Sequence, residues 1–177
     1  MSAFIATEIP GCVLRPWRHA DAPALVRHGD DRRVWRNLTE RFPHPYTAHD
    51  ADSWIDYAAE PGPSLHLAID WQGEAVGGIG LIALEDPVDQ HTADFGYWLG
   101  HAVWGRGLAT AAARALAAHA LALPRWQRLQ ARVYAWNPAS MRVLEKAGFE
   151  REGVLRRSIC KDGELTDAVL YARLRAG

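Results

Sequence analysis

The stretch Tyr97-Trp-Leu-Gly-His-Ala-Val-Trp-Gly-Arg-Gly-Leu-Ala-Thr110 decides the fold of this 177-residue chain. Just before it, Thr92 to Leu99 alternates as a strand does, with Ala93, Phe95, Tyr97 and Leu99 on one side and Asp94, Gly96 and Trp98 on the other. Just after it, the Ala-rich run from Ala109 to Leu123 predicts a helix. Gly105 and Gly107 let the connecting backbone turn its N–H groups inward at the positive end of that helix, which predicts an anion cradle. A tight strand-to-helix turn needs glycine anyway, so this pair alone leaves a purely structural role equally open.

Working outward, Arg114 and His119 stand about 140° apart around the helix, which predicts that they do not share one solvent face and that much of the helix is buried against a sheet. Leu129, Ala131, Val133 and Ala135 alternate as the next strand, and Asn137-Pro138 starts a further helix, Asn as cap and Pro in first position. Gly148 ends it, with Leu144 and Phe149 spaced for a Schellman closure. Val154 to Cys160 and Leu165 to Arg173 form a hairpin across Asp162-Gly163. Toward the N-terminus, Val13-Leu14-Arg15 is a short strand ended by Pro16, and Asp21 caps a helix over residues 22–28. Residues 31–46 are an irregular surface loop, and Thr47 and Asp50 form a capping box before a second helix. Leu65 to Ile69 and Ala75 to Leu84 pair across Gln72-Gly73. Hairpins with one strand–helix–strand–helix passage make an α+β domain rather than a regularly alternating one.

Composition narrows the function. With 20 Lys and Arg against 21 Asp and Glu, the net charge is −1, so no global field draws the chain to nucleic acid or anionic lipid. Cys12 and Cys160 form no CxxC pair, and the eight histidines show no HxH or HExxH spacing, so neither a disulfide framework nor a metal site is expected. The segment Met1 to Pro10 lacks the pattern of a secretion signal, and no run reaches the ~20 apolar residues of a bilayer span. One domain over residues 1–177 in a reducing cytoplasm is the expectation.

A second segment, Asn137-Pro-Ala-Ser140-Met-Arg-Val-Leu-Glu-Lys146-Ala-Gly148-Phe149, sharpens the first. Together with Gly96-Tyr-Trp-Leu-Gly100, Trp104-Gly-Arg-Gly-Leu-Ala-Thr110, Arg36-Asn-Leu38, Phe42-Pro-His-Pro-Tyr46 and the tail from Glu152 to Tyr171, it resembles the GNAT superfamily of acyl-CoA N-acyltransferases. The resemblance is to the RimJ/RimL-like branch of ribosomal-protein N-terminal acetyltransferases, and it covers nearly the whole chain. It implies a GNAT fold: a mixed, mostly antiparallel sheet with a central splayed parallel strand pair and flanking helices.

The resemblance further implies acetyl-CoA as cosubstrate and no metal. It assigns the pyrophosphate to Trp104, Gly105, Arg106, Gly107, Leu108, Ala109 and Thr110, although Trp104 stands where the family usually has Gln or Arg. Ala111 replaces a common Glu just beyond. Leu99 matches the residue whose backbone meets the pantetheine arm, Trp98 flanks the same cleft, and Asn137 matches a cofactor contact while also serving as a helix cap. The family's tyrosine acid is absent, since Leu144 holds its place. Ser140 matches the branch's substitute for protonating the departing thiolate, and Asp94 matches a position for a base acting through water. The acceptor, a small-molecule amine or a protein N-terminus, is expected to enter past Trp35, Asn37, Phe42 and Tyr46. The cluster Arg32, Arg33, Arg36 and Arg41 would favour acidic acceptors. Two other classes compete: a dinucleotide-dependent oxidoreductase, which lacks a third glycine at Thr110 and a following acidic residue, and a non-catalytic acyl-CoA sensor on the same fold.

Overall fold

The computed structural model describes residues 4–177; residues 1–3, the start of the segment read as lacking a leader, lie outside it. One eight-stranded sheet runs β1 (Ile5–Ala6), β2 (Cys12–Pro16), β3 (Leu65–Trp71), β4 (Glu74–Ala83), β5 (Thr92–Leu99), β6 (Arg128–Tyr134), β8 (Glu164–Leu174) and β7 (Glu150–Lys161). Every neighbouring pair is antiparallel except β5 and β6. That parallel pair is registered only from Thr92 opposite Arg128 to Asp94 opposite Gln130. Beyond it β5 follows β4 as far as Leu99, while β6 follows β8 as far as Tyr134. The sheet therefore opens into a V whose inner edges carry backbone groups without a ladder partner across the gap.

Five helices flank the sheet. Helices α1 (Ala22–Gly29), α2 (Arg32–Trp35) and α3 (Ala48–Ala59) precede β3, α4 (Leu108–Ala122) joins β5 to β6, and α5 (Pro138–Lys146) follows β6. On one face α4 and α5 cover a core that includes Leu67, Ile79, Phe95, Leu116, Leu129, Val133, Leu144 and Phe149. On the other face α1 and α3 cover a smaller core of Trp17, Leu25, Tyr46, Ala51, Ile55 and Ala68. Ala112, Ala113, Ala117 and Ala120 are fully buried, so α4 lies close on the strands as its small side chains allow.

Most local signals behave as their chemistry dictates. The Thr47 hydroxyl accepts the Asp50 N–H at 3.3 Å while the Asp50 carboxylate accepts the Thr47 N–H at 2.8 Å, which starts α3. The Phe149 N–H reaches the Leu144 carbonyl at 3.0 Å and the Gly148 N–H reaches that of Glu145 at 3.0 Å, the two bonds of a Schellman ending for α5. Both hairpin turns carry positive φ at their two central residues, Gln72-Gly73 and Asp162-Gly163.

Four local expectations need correction. Asp21 stands at the start of α1 but makes no side-chain cap there. Its two oxygens instead take the Arg15 guanidinium at 2.7 and 2.8 Å, because a buried arginine must be paired. The segment after Asp31 is not wholly irregular: the Asp31 carboxylate accepts the Arg33 N–H at 2.8 Å and caps the single turn of α2. Arg114 and His119 are both exposed, bracketing one solvent stripe with Ala118 between them. Strand β6 stops at Tyr134, one residue short of Ala135.

Candidate functional site

The V between β5 and β6 is the mouth of a cavity of about 600 Å³, within the usual range of small-molecule sites. Strand alternation sends the side chains of Tyr97, Leu99, Ala131 and Val133 toward α4 and α5, and those of Asp94, Trp98, Gln130, Arg132 and Tyr134 toward the loop around α2, the face on which Gly96 lies. All of these residues line the cavity, which therefore passes through the sheet and has a wall on each face.

The α4 end is built by the loop Trp104 to Thr110. Gly105 and Gly107 have φ of 77° and 79°, a conformation that side chains with a Cβ adopt only under strain, and Gly107 stands at the N-terminus of α4. A Cβ on Gly105 would meet nothing within 4 Å, so it is the backbone angle and not crowding that calls for glycine there. The Arg106 guanidinium lies 5.1 Å from the centre of the Trp71 ring, which braces the loop on β3. The Trp104 indole donates to the Leu99 carbonyl at 2.8 Å. A carbonyl has a second lone pair, so a ligand amide can still use that oxygen.

Midway along the cavity, Ser140 sits on the first turn of α5. The Asn137 side chain accepts the Ser140 N–H at 3.2 Å, so the helix cap also positions the serine. The Ser140 hydroxyl is 2.7 Å and the Ser140 carbonyl 3.1 Å from the Tyr97 hydroxyl, whose single proton goes to one or the other. Burial pushes the Tyr97 phenol well above its ordinary pKa, so it stays protonated. When that phenol donates to the serine oxygen, the serine proton is free to point into the cavity.

On the α2 side, the Gln130 amide donates to the Asp94 carboxylate at 2.9 Å across the three-residue parallel ladder. Among the described residues Asp94 is the single acidic one lining the cavity. Val34, Asn37, Leu38 and Thr39 close this end, with Ile82 beside them. Asn37 is held by a bond from its amide to the Arg33 carbonyl at 2.9 Å.

The structure thus brings Asp94, Trp98, Leu99, the loop from Trp104 to Thr110, Asn137, Ser140 and Asn37 to one cavity. It does not bring Trp35, Phe42 or Tyr46 to the wall. Phe42 packs edge-on against Trp98 with ring centroids 5.2 Å apart, and Tyr46 is buried behind it at 4.7 Å. Trp35 stacks on His44 and carries the Lys161 ammonium 3.7 Å from its ring centre. These aromatics back the wall rather than forming it. Three of the four clustered arginines are not free: Arg32 pairs with Asp162, Arg33 with Asp31 at 2.6 Å, and Arg36 with Glu164 at 3.0 Å, while Arg41 is exposed with no ion pair among the described residues.

Tyr97, Gln130, Arg132 and Tyr134 were not among the expected site residues. The period-2 signal was present, since an inward Leu129, Ala131 and Val133 force the intervening residues onto the opposite face. Which strand edge stands open depends on the β5/β6 divergence, and no local pattern encodes that.

The chain matches the family model described as the acetyltransferase (GNAT) domain over residues 12–150. It is similar to the L-amino acid N-acetyltransferase AaaT of Escherichia coli (strain K12), 29% identical over 161 residues, 89% of this chain and 96% of that one. It is also similar to the probable N-acetyltransferase YjcK of Bacillus subtilis (strain 168), 40% identical over 83 residues, where it spans 46% of the relative's length and 47% of its own. Among solved structures, the RimL ribosomal L7/L12 alpha-N-protein acetyltransferase in complex with coenzyme A superposes with a TM-score of 0.83 at 21% identity, covering 97% of this chain and 98% of that one.

Proposed function

The chain belongs to the GNAT acetyltransferase family, and we propose that it transfers an acetyl group from acetyl-CoA to a primary amine by direct attack within one ternary complex. The observation that carries this reading is the cavity through the split sheet, with a backbone anion cradle at one end and a carboxylate at the other. Two reactants can then meet from opposite faces without sharing an entrance. The unpaired edges of β5 and β6 suit the amide-bearing pantetheine arm, and the glycine loop at the N-terminus of α4 suits a pyrophosphate. The residues present therefore fit acetyl-CoA, which supplies an acyl group already activated as a thioester.

Amides of the loop from Gly105 to Thr110 hold the phosphates at the N-terminus of α4, and the Asn137 side chain and Trp98 border the arm. Asp94 takes a proton from the acceptor ammonium, directly or through a water, so that the nitrogen lone pair can form the new bond to the acyl carbon. As the carbon–sulfur bond breaks, Ser140, oriented by Tyr97 and by the Asn137 cap, passes its proton to the sulfur and regains one through solvent from the nitrogen, which sheds its second proton as the amide forms. A thiol has an ordinary pKa of ~8.5, so its thiolate leaves readily and this assistance is modest. Among the described residues Ser140 bonds Tyr97 and Asn137 and has no His–Asp relay that would make it a nucleophile, which suits transfer in a single step.

The acceptor enters past Asn37 and Leu38, presented by a small molecule or a protein N-terminus. The names of AaaT and of the RimL neighbour point to one of each. The single continuous sheet supports reading residues 1–177 as one domain, and the free thiols of Cys12 and Cys160 suit a reducing cytoplasm. Release of free CoA thiol, followed across amino acids, small amines and N-terminal peptides, tests the reading. Acetyl-CoA binding without turnover on any amine would identify a sensor instead.

A further inference from the structure

From the wall of the acceptor half of the cavity we infer that the acceptor carries a carboxylate close to its amine, and that Arg132 binds that carboxylate. This rests on the proposed transfer to an amine and names the class of amine.

Charge and space at this wall point to such a ligand. On β6, Gln130 and Arg132 face the α2 side, and Gln130 is tied to Asp94 at 2.9 Å, which fixes the register of the two walls. Two residues further along, where β5 and β6 have parted, Arg132 stands on the β6 wall and Gly96 on the β5 wall. A Cβ on Gly96 would meet nothing within 4 Å, so the gap in front of Arg132 is empty rather than filled by packing. Arg132 has no ion pair and no side-chain hydrogen bond among the described residues. Three cations of the neighbouring loop and hairpin are engaged: Arg32 with Asp162, Arg36 with Glu164, and Lys161 with Glu40 at 3.1 Å. Arg32 and Arg36 thus pin the loop to the β7–β8 turn, and among the described residues Arg132 is the lone cation lining the α2 side of the cavity.

A guanidinium beside unfilled space, next to a carboxylate on the facing strand, is complementary to a molecule that bears an anion and an amine a short distance apart. The amine goes to Asp94 and the carboxylate to Arg132, whose planar fork suits bidentate pairing. Val34, Leu38 and Ile82 leave the remainder of the acceptor an apolar wall. Two sources offer this chemistry: the α-carboxylate of a free amino acid, and the acidic side chain of a residue next to a peptide N-terminus.

The test is a set of matched acceptors. Each standard L-amino acid is compared with its amide, and amidated hexapeptides with Glu at the second position are compared with the same peptides carrying Gln. Acetyl transfer is read as CoA thiol release, and binding is read by calorimetry with CoA present so that no turnover is needed. The carboxylate member of at least one pair is expected to be preferred by about tenfold or more, as for a charged hydrogen-bonded pair. In Arg132→Gln that preference is expected to collapse, and Arg132→Lys is expected to restore part of it. Preference among free amino acids identifies the α-carboxylate as the source, and preference among peptides identifies the acidic side chain. Equal or weaker binding of every carboxylate member, or a preference untouched by Arg132→Gln, overturns the inference. Selective carboxylate binding without acetyl transfer overturns the transferase reading and leaves this one standing.

Discussion

In the proposed transfer, a single backbone angle at Gly107 decides whether the loop amides can meet a phosphate. With φ at 79° and its nearest potential Cβ neighbour, Ile9, at an ordinary 3.7 Å, a side chain here meets strain rather than a clash. In Gly107→Val, relaxing that strain rotates the loop amides away from the cavity. A left-handed β-branched residue costs about 1–3 kcal/mol, so CoA affinity is expected to fall about tenfold or more by calorimetry while the chain remains folded. Ser140 and Tyr97 make a different prediction, because in the proposed transfer they act after binding. Ser140→Ala and Tyr97→Phe are expected to lower kcat by about tenfold to a hundredfold, near the bottom of the range for proton-transfer assistance, with CoA affinity little changed. Burial raises the Tyr97 pKa, so the neutral donor persists beyond the ordinary value of ~10. No loss of rate below pH 10 should then trace to this phenol. A basic limb that disappears in Tyr97→Phe would show the opposite.

Elements were legible in this sequence where one local rule governs them. The capping box at Thr47, the Asn137-Pro138 start, the Gly148 ending and both hairpins are each decided within a few residues, and each stands where the chemistry puts it. Misreadings arose where a distant partner outbid the local one. Asp21 is a good cap by type, yet Arg15 claims its carboxylate, and Arg15 in turn bonds Asp70 on β3 at 2.7 Å. Arg15 and both of its partners are buried, and they lock the start of α1 to the sheet. Arg15→Met is expected to destabilise the fold by about 3–5 kcal/mol, because two carboxylates are left buried without their counter-charge; denaturant unfolding measures it. The site followed the same division. Glycines and cap residues announced the loop and Ser140, whereas Trp35, Phe42 and Tyr46 drew notice for aromatic character that serves packing. On β4, a Cβ at Gly77 would overlap the Trp98 carbonyl oxygen and come within 2.9 Å of the Leu99 Cα. Gly77→Ala is therefore expected to cost about 1–3 kcal/mol by overpacking and to weaken CoA binding as well, since the shifted strand is the cavity wall.

Across the whole molecule, strands β1 to β5 and strands β6 to β8 are joined within the sheet by only three registered residue pairs between β5 and β6. The remaining adhesion between the two halves comes from the core beneath α4 and α5, where Phe95 meets Phe149 with ring centroids 5.0 Å apart, and from polar pairs such as Gln130 with Asp94 and Arg36 with Glu164. A cosubstrate arm lying in the V satisfies backbone groups on both inner edges and so bridges the halves. Binding to the native state alone stabilises it by mass action, about 2.7 kcal/mol at a hundred times Kd. For a chain of this size each kcal/mol raises Tm by roughly 2–4 °C, so saturating CoA is expected to raise Tm by about 5–10 °C. A ligand held only at the phosphate loop would give a similar Tm shift, and hydrogen exchange separates the cases. Bridging requires slower exchange at residues 95–99 of β5 and 131–134 of β6 as well as at residues 105–110. Protection confined to the loop would mean that the V stays open when CoA is bound and that the arm does not join the two halves of the sheet.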